Sequence, residues 1–121
     1  MPGKGSQATG RAAEDLALRF LRARGLDLVE RNYRCRGGEI DLVMRDGRHW
    51  VFVEVRYRRR QQFGAPQATV DTAKQRRLTL AASHFLVRHG DAPARFDVVG
   101  ISGEPPRIEW IRNAFEGPAY V

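Results

Sequence analysis

Cys35 is the only cysteine, so no internal disulfide is possible and a reducing compartment is the natural setting. Histidine is scarce as well, with 3 residues badly spread for a zinc site. His84 and His89 fall on different faces of one expected helix, and His49 on the expected core side of a hairpin. No run approaches the roughly 18 apolar residues that a membrane span needs. The stretch from Met1 to Gly10 is rich in glycine and polar residues and lacks the apolar segment of a signal peptide. Residues 1–9 therefore read as a flexible tail ahead of a single domain over 10–121. These absences predict a cytoplasmic protein with no membrane partner. Lysine is nearly missing too: of 21 basic residues, all but Lys4 and Lys74 are arginine.

What is present is an ordinary globular balance, 42% hydrophobic and 29% charged, over 121 residues, enough for one domain with its own core. The formal net charge is +7 and the isoelectric point about 10.7. Such an excess favours a polyanionic partner, nucleic acid first, through counterion release; it serves equally well to keep a surface soluble. The arginines cluster at Arg31, Arg34 and Arg36, at Arg56 and Arg58 to Arg60, and at Arg76 and Arg77 beside Lys74. Forked phosphate contacts suit arginine.

Apolar or small residues at 13, 16, 17, 20 and 21 predict an amphipathic helix from about Gly10 to Arg24, ended by Gly25. A short strand over 26–33 follows. Glu39 to Met44 and His49 to Val55 read as a hairpin turned by Asp46-Gly47. Residues 58–68 form a polar, basic loop, and a second helix runs from about 71 or 72 to 88. Strands over 95–101 and 107–112 complete the order α-β-β-β-α-β-β, with no internal repeat.

With Asp46 and Gly47 as the two loop residues, Glu39 faces Glu54, Asp41 faces Phe52, and Val43 faces Trp50. Period-two alternation then puts Ile40, Leu42, Met44, Val51, Val53 and Val55 on an apolar core face. Glu39, Asp41, Glu54 and Arg56 share the other. Like charges so close destabilise a sheet or raise carboxyl pKa values. A hard divalent ion, Mg²⁺ or Mn²⁺, bridging Asp41 and Glu54 relieves both problems. A surface salt-bridge ladder, with Arg56 on Glu54 and Glu39 solvated, is an equal alternative on strand pattern alone.

Gly38-Glu-Ile-Asp-Leu42, Val51-Phe-Val-Glu-Val-Arg-Tyr-Arg58, Phe63-Gly64, Lys74 and Arg95-Phe-Asp-Val98 together resemble the YraN-like family of uncharacterised bacterial proteins. The resemblance runs from about Gly10 to Phe115. It implies a restriction-endonuclease-like α/β fold, a central mixed sheet of about five strands flanked by helices, related to archaeal Holliday-junction resolvases. Those nucleases place an acid on the first helix, then Asp, then Glu-x-Lys on the returning strand. By that pattern Glu14 is the helix acid, a metal ligand or a water bridge to the metal, and Asp41 and Glu54 are the principal ligands. Arg56 stands in the lysine's position, and a guanidinium stays protonated and cannot take a proton from water. Lys74 can stand in if the start of the second helix faces the site.

The activity implied is metal-assisted hydrolysis of phosphodiesters in structured or branched DNA, with a homodimer by analogy. Glu39 supports the ligands from behind, and Arg56 and Lys74 offset charge on the phosphate. Arg58, Arg59, Arg60, Arg76 and Arg77 track the backbone, and Arg11 is either a phosphate contact or a solvated charge. Arg56 also motivates the alternative: an inactive nucleic-acid-binding module, or a protein adaptor, that keeps the fold. Asp97 reads as an arginine partner, Trp50, Phe52 and Trp110 as core or rim, and Cys35 as a small buried hydrophobe.

Overall fold

The computed structural model of the chain describes residues 2–58 and 70–116, with side chains from residue 10 onward. Helix α1 (Pro2–Ala23) is followed by β1 (Asp27–Cys35), β2 (Gly38–Asp46) and β3 (His49–Arg58). Helix α2 (Thr72–His89), β4 (Ala94–Ser102) and β5 (Arg107–Phe115) complete the order read from the sequence. Arg59, Arg60 and the Phe63-Gly64 motif lie outside the described residues.

The five strands form one sheet in chain order, antiparallel except for the parallel pair β3–β4. That pair must be joined by a crossover, and α2 is the crossover. The helices take opposite faces. Ala13, Ala17, Leu18 and Leu21 of α1 pack on Leu42, Met44, Val51, Val53, Val99 and Ile101. Leu78, Ala81, Ala82 and Phe85 of α2 pack on Tyr33, Ile40, Val43, Trp50, Phe52 and Val98. The face that carries Glu54 is thus not an open outer face but the floor under α2. Its interleaved Val43, Trp50 and Phe52 are the residues α2 buries.

Helix α1 starts at Pro2, within residues 1–9 that the sequence reads as a tail and ahead of the expected start near Gly10; proline is tolerated there because a first-turn N–H has no intrahelical partner to lose. Gly25 ends it at φ 95°, with Leu26 N–H donating to Leu21 O and Gly25 N–H to Arg22 O, the two bonds of a Schellman cap. Asp71 caps α2, its carboxylate accepting from Lys74 N–H at 2.8 Å. Close approach of α2 to the sheet depends on Gly38. A Cβ there would lie 2.4 Å from Arg77 O and 3.0 Å from Ala81 N.

Two details of register differ from the sequence reading. Asp46 pairs with His49, so the loop residues are Gly47 and Arg48. Gly47 has φ 61° and Arg48 is not left-handed, the pattern of a turn with glycine first. Asp46 stays in the strand, its carboxylate held by Arg95 at 3.1 Å and Arg112 at 3.4 Å. His49 is exposed at this tip rather than on the core side. The two-residue slip preserves which side each residue faces, with one exception. Ile40 packs with the α2-side cluster although Leu42 packs with the α1 side. On the neighbouring strand Arg31 reaches the acids of α1 while Tyr33 packs under α2. Asn32, between them, has φ 52°, and a left-handed residue breaks strand alternation.

Candidate metal and nucleic-acid site

The β2–β3 ladder runs from the hairpin tip as far as Leu42 opposite Val53. One step further, Val55 N–H donates to Asp41 Oδ2 at 2.8 Å. A side chain thus supplies the acceptor that a backbone carbonyl supplies lower in the ladder. Asp41 and Glu54 also meet through their side chains, directly across the strands rather than diagonally. Glu39, expected opposite Glu54, pairs instead with Arg34 on β1. Its carboxylate lies 3.5 Å from Arg34 Nε and 3.8 Å from Arg77 Nη2, so it orders cations rather than backing Glu54.

Glu54 is only 3% exposed and is buried among charges. Its Oε2 lies 3.4 Å from Arg56 Nη1 on its own strand and 3.4 Å from Lys74 Nζ on α2. The start of α2 therefore faces Glu54, and the Lys74 ammonium reaches it. Three features put it there: the Asp71 cap fixes the helix start, Gly38 lets the helix settle, and Leu78 and Phe85 drive the docking.

Burial pushes the Asp41 carboxyl up to about 7, and repulsion from Glu54 adds to the rise. The Val55 N–H bond and the Lys74 ammonium act in the other direction without prevailing. Glu14 projects from α1 to Arg31 Nη2 at 3.3 Å and Asn32 Nδ2 at 3.2 Å. Among the described residues, no group of three or more His, Cys, Asp and Glu side chains gathers in metal-binding geometry. Of the three expected acids, Asp41 and Glu54 meet, while Arg31 and Asn32 of β1 hold Glu14 on α1. The pair is an all-oxygen donor set. That fits a hard divalent ion such as Mg²⁺, which commonly keeps waters and takes one or two carboxylates plus substrate phosphate.

Strands β1 and β3 run in the same direction, since each is antiparallel to β2. Arg34 and Arg36 near the end of β1, Arg56 and Arg58 closing β3, and Lys74, Arg76 and Arg77 opening α2 therefore lie at one end of the sheet. Exposed Arg11 lies on α1 one turn before Glu14. This is also the carboxyl end of the parallel pair, where open α/β sheets commonly bind ligands. The opposite end is mixed. There Arg95 joins Asp46 to Asp97, which is fully buried and also accepts from Trp110 Nε1 and Asn113 N–H, each at 2.9 Å. Asp97 is an arginine partner, as its sequence setting indicates.

The sequence reading missed the Val55 N–H, Asn32 and Asp71. Only Asp71 left a signal, a capping residue just before the helical pattern.

A family model matches residues 13–101 of the chain, well over half its length. The chain belongs to the uncharacterised protein family UPF0102. Against a UPF0102 protein of Ralstonia nicotianae it is 59% identical over 117 residues, covering 92% of this chain and 88% of that one. Against one of Pseudomonas entomophila it is 50% identical over 122 residues, covering 96% and 99%. The YraN-like resemblance is thus sound at the level of family, and the matched residues run from the middle of α1 through most of β4.

Proposed function

We propose that this UPF0102 protein is a metal-dependent endonuclease of the restriction-endonuclease-like class, acting on structured or branched DNA. One observation supports the reading above all others. Asp41 and Glu54 face each other where the hairpin ladder ends, at the arginine-rich end of the sheet, with Lys74 and Arg56 both reaching Glu54. A divalent ion, Mg²⁺ or Mn²⁺, held by Asp41 and Glu54 would supply a Lewis acid and a more acidic bound water. Lys74 and Arg56 place positive charge where the phosphorane develops negative charge. Arg56 works by charge alone, because its guanidinium keeps its protons. Arg58, Arg76 and Arg77, with Arg59 and Arg60 next along the chain and Arg11 on α1, hold the backbone. Glu14 acts from α1 through Asn32 and Arg31, and Glu39 orients Arg34 and Arg77. Recognition is by shape or branching, in a cytoplasmic protein that acts as a homodimer by analogy.

Purified protein with Mn²⁺ or Mg²⁺ is expected to cleave a branched or flapped DNA. Asp41→Ala and Glu54→Ala are each expected to lower the rate by about 100-fold or more, since either removes half the metal's protein ligands. Cleavage that survives Asp41→Ala unchanged identifies a contaminant and removes the assignment.

A second reading draws on Arg56 and on the donor set of two acids. In it the protein binds nucleic acid, or serves as an adaptor for a protein partner, without turnover. It expects salt-dependent binding and no cleavage, with some turnover appearing in Arg56→Lys. Mn²⁺ calorimetry on wild type against Glu54→Ala separates the two readings. Occupancy of the wild-type site below about millimolar Kd favours catalysis.

A further inference from the structure

Glu54 is the most enclosed acid of the site, yet a single oxygen, Oε2, serves two cations, Lys74 Nζ and Arg56 Nη1, each at 3.4 Å. Both cations come from partly open positions, with 25% and 33% of their side-chain surface exposed against 3% for Glu54. Across the strands, Asp41 commits Oδ2 to Val55 N–H. The two cations already neutralise the carboxylate that a divalent ion needs most. A dication and two monocations at contact with one oxygen repel one another strongly where water is scarce. The Lys74 ammonium can leave without rearranging the fold. Asp71 anchors the backbone at Lys74, so the flexible side chain moves and the helix does not.

Resting on the metal reading above, we propose that Lys74 and Arg56 are exchangeable counter-ions of Glu54. They leave Oε2 when a divalent cation binds and turn to the phosphodiester, so that metal and nucleic-acid backbone bind the site cooperatively. Without a phosphate to receive them, the released cations crowd the metal; without a metal, Glu54 holds them away from the phosphate. Each ligand then strengthens the other by the same factor, as linkage requires.

The test uses the full-length protein, Mn²⁺ alone followed by the paramagnetic signal of the free ion, and a short phosphorothioate oligodeoxynucleotide followed by fluorescence anisotropy. In wild type, saturating Mn²⁺ is expected to tighten oligonucleotide binding about tenfold, and the oligonucleotide to tighten Mn²⁺ binding equally. Lys74→Gln is expected to bind Mn²⁺ alone about tenfold more tightly than wild type, while the mutual enhancement falls to about twofold or less. Arg56→Gln is expected to shift both quantities the same way, and its titrations decide the matter if Lys74→Gln does not fold. Wild type that binds Mn²⁺ with no mutual enhancement, or variants whose Mn²⁺ affinity is unchanged or weaker, overturn the exchange and leave the metal reading standing. Absence of Mn²⁺ binding in wild type and variants alike removes the metal reading and the exchange together.

Discussion

Asp41 connects the electrostatics of the site to two measurable quantities. Its folded-state carboxyl is raised from the ordinary value to about 7, chiefly by burial. The folded protein therefore holds a proton that the unfolded chain releases near pH 4. The stability this group contributes is full below that lower value and is lost as pH rises through about 7. Without metal, Asp41→Asn is expected to be more stable than wild type at pH 8 by roughly 1–3 kcal/mol, the scale of a poorly compensated buried polar group. The gap should close by pH 4 in urea unfolding. A wild-type protein that gains on the variant as pH rises would contradict this environment. Because the metal-bound carboxylate must be ionised, Mn²⁺ affinity is expected to fall about tenfold for each pH unit below 7 and to level off above it.

At the scale of elements, the site depends on how closely α2 lies on β2. The Cβ of Gly38→Ala would meet backbone of α2, not a side chain that could swing aside. It is expected to lower stability by about 1–3 kcal/mol, an overpacking cost, and to shift Lys74 away from Glu54. The measurements are a urea midpoint and a Mn²⁺ titration compared with those of wild type. Asp71→Ala, which removes the cap bond to Lys74 N–H, is expected to cost about 1 kcal/mol. Both edge strands, β1 and β5, carry an asparagine at φ 52°, Asn32 and Asn113. Such kinks discourage edge-to-edge pairing between chains, and each has its own partner: Glu14 bonds the Asn32 side chain, and Asp97 the Asn113 N–H.

For the whole molecule, the net charge of +7 matters less than its distribution. Duplex binding should weaken with salt along a log–log slope near −0.9 per neutralised phosphate. Replacing Arg76 and Arg77 together by alanine is expected to flatten that slope by about 1 to 2. Replacing Arg48 and Arg88, away from the arginine-rich end, is expected to leave it unchanged although the net charge falls equally. Equal flattening by both pairs would mean that the chain binds polyanions by overall charge alone. No helix among the described residues is long and apolar enough to cross a membrane.

Element order was legible because each element's burial writes a period into its own residues. The stripe at Ala13, Ala17 and Leu21 and the alternation of β3 carry their patterns locally. The association of Asp41 with Glu54 was legible too, since a two-residue slip at Gly47 moves partners along the strand without turning them over. Other features had no local signature. Ile40 changes sides because of Asn32 on another strand, and Glu14 goes to Arg31 and Asn32 because α1 docks beside β1. Lys74 reaches Glu54 only because Gly38, over 30 residues earlier, leaves room for a helix. From its sequence alone, this protein has its elements, two acids on one side of the hairpin and its basic character. Which cations stand against those acids, and how many acids gather, was decided by tertiary packing. Local periodicity records whether a side chain is buried, whereas the identity of its distant neighbour depends on how whole elements dock.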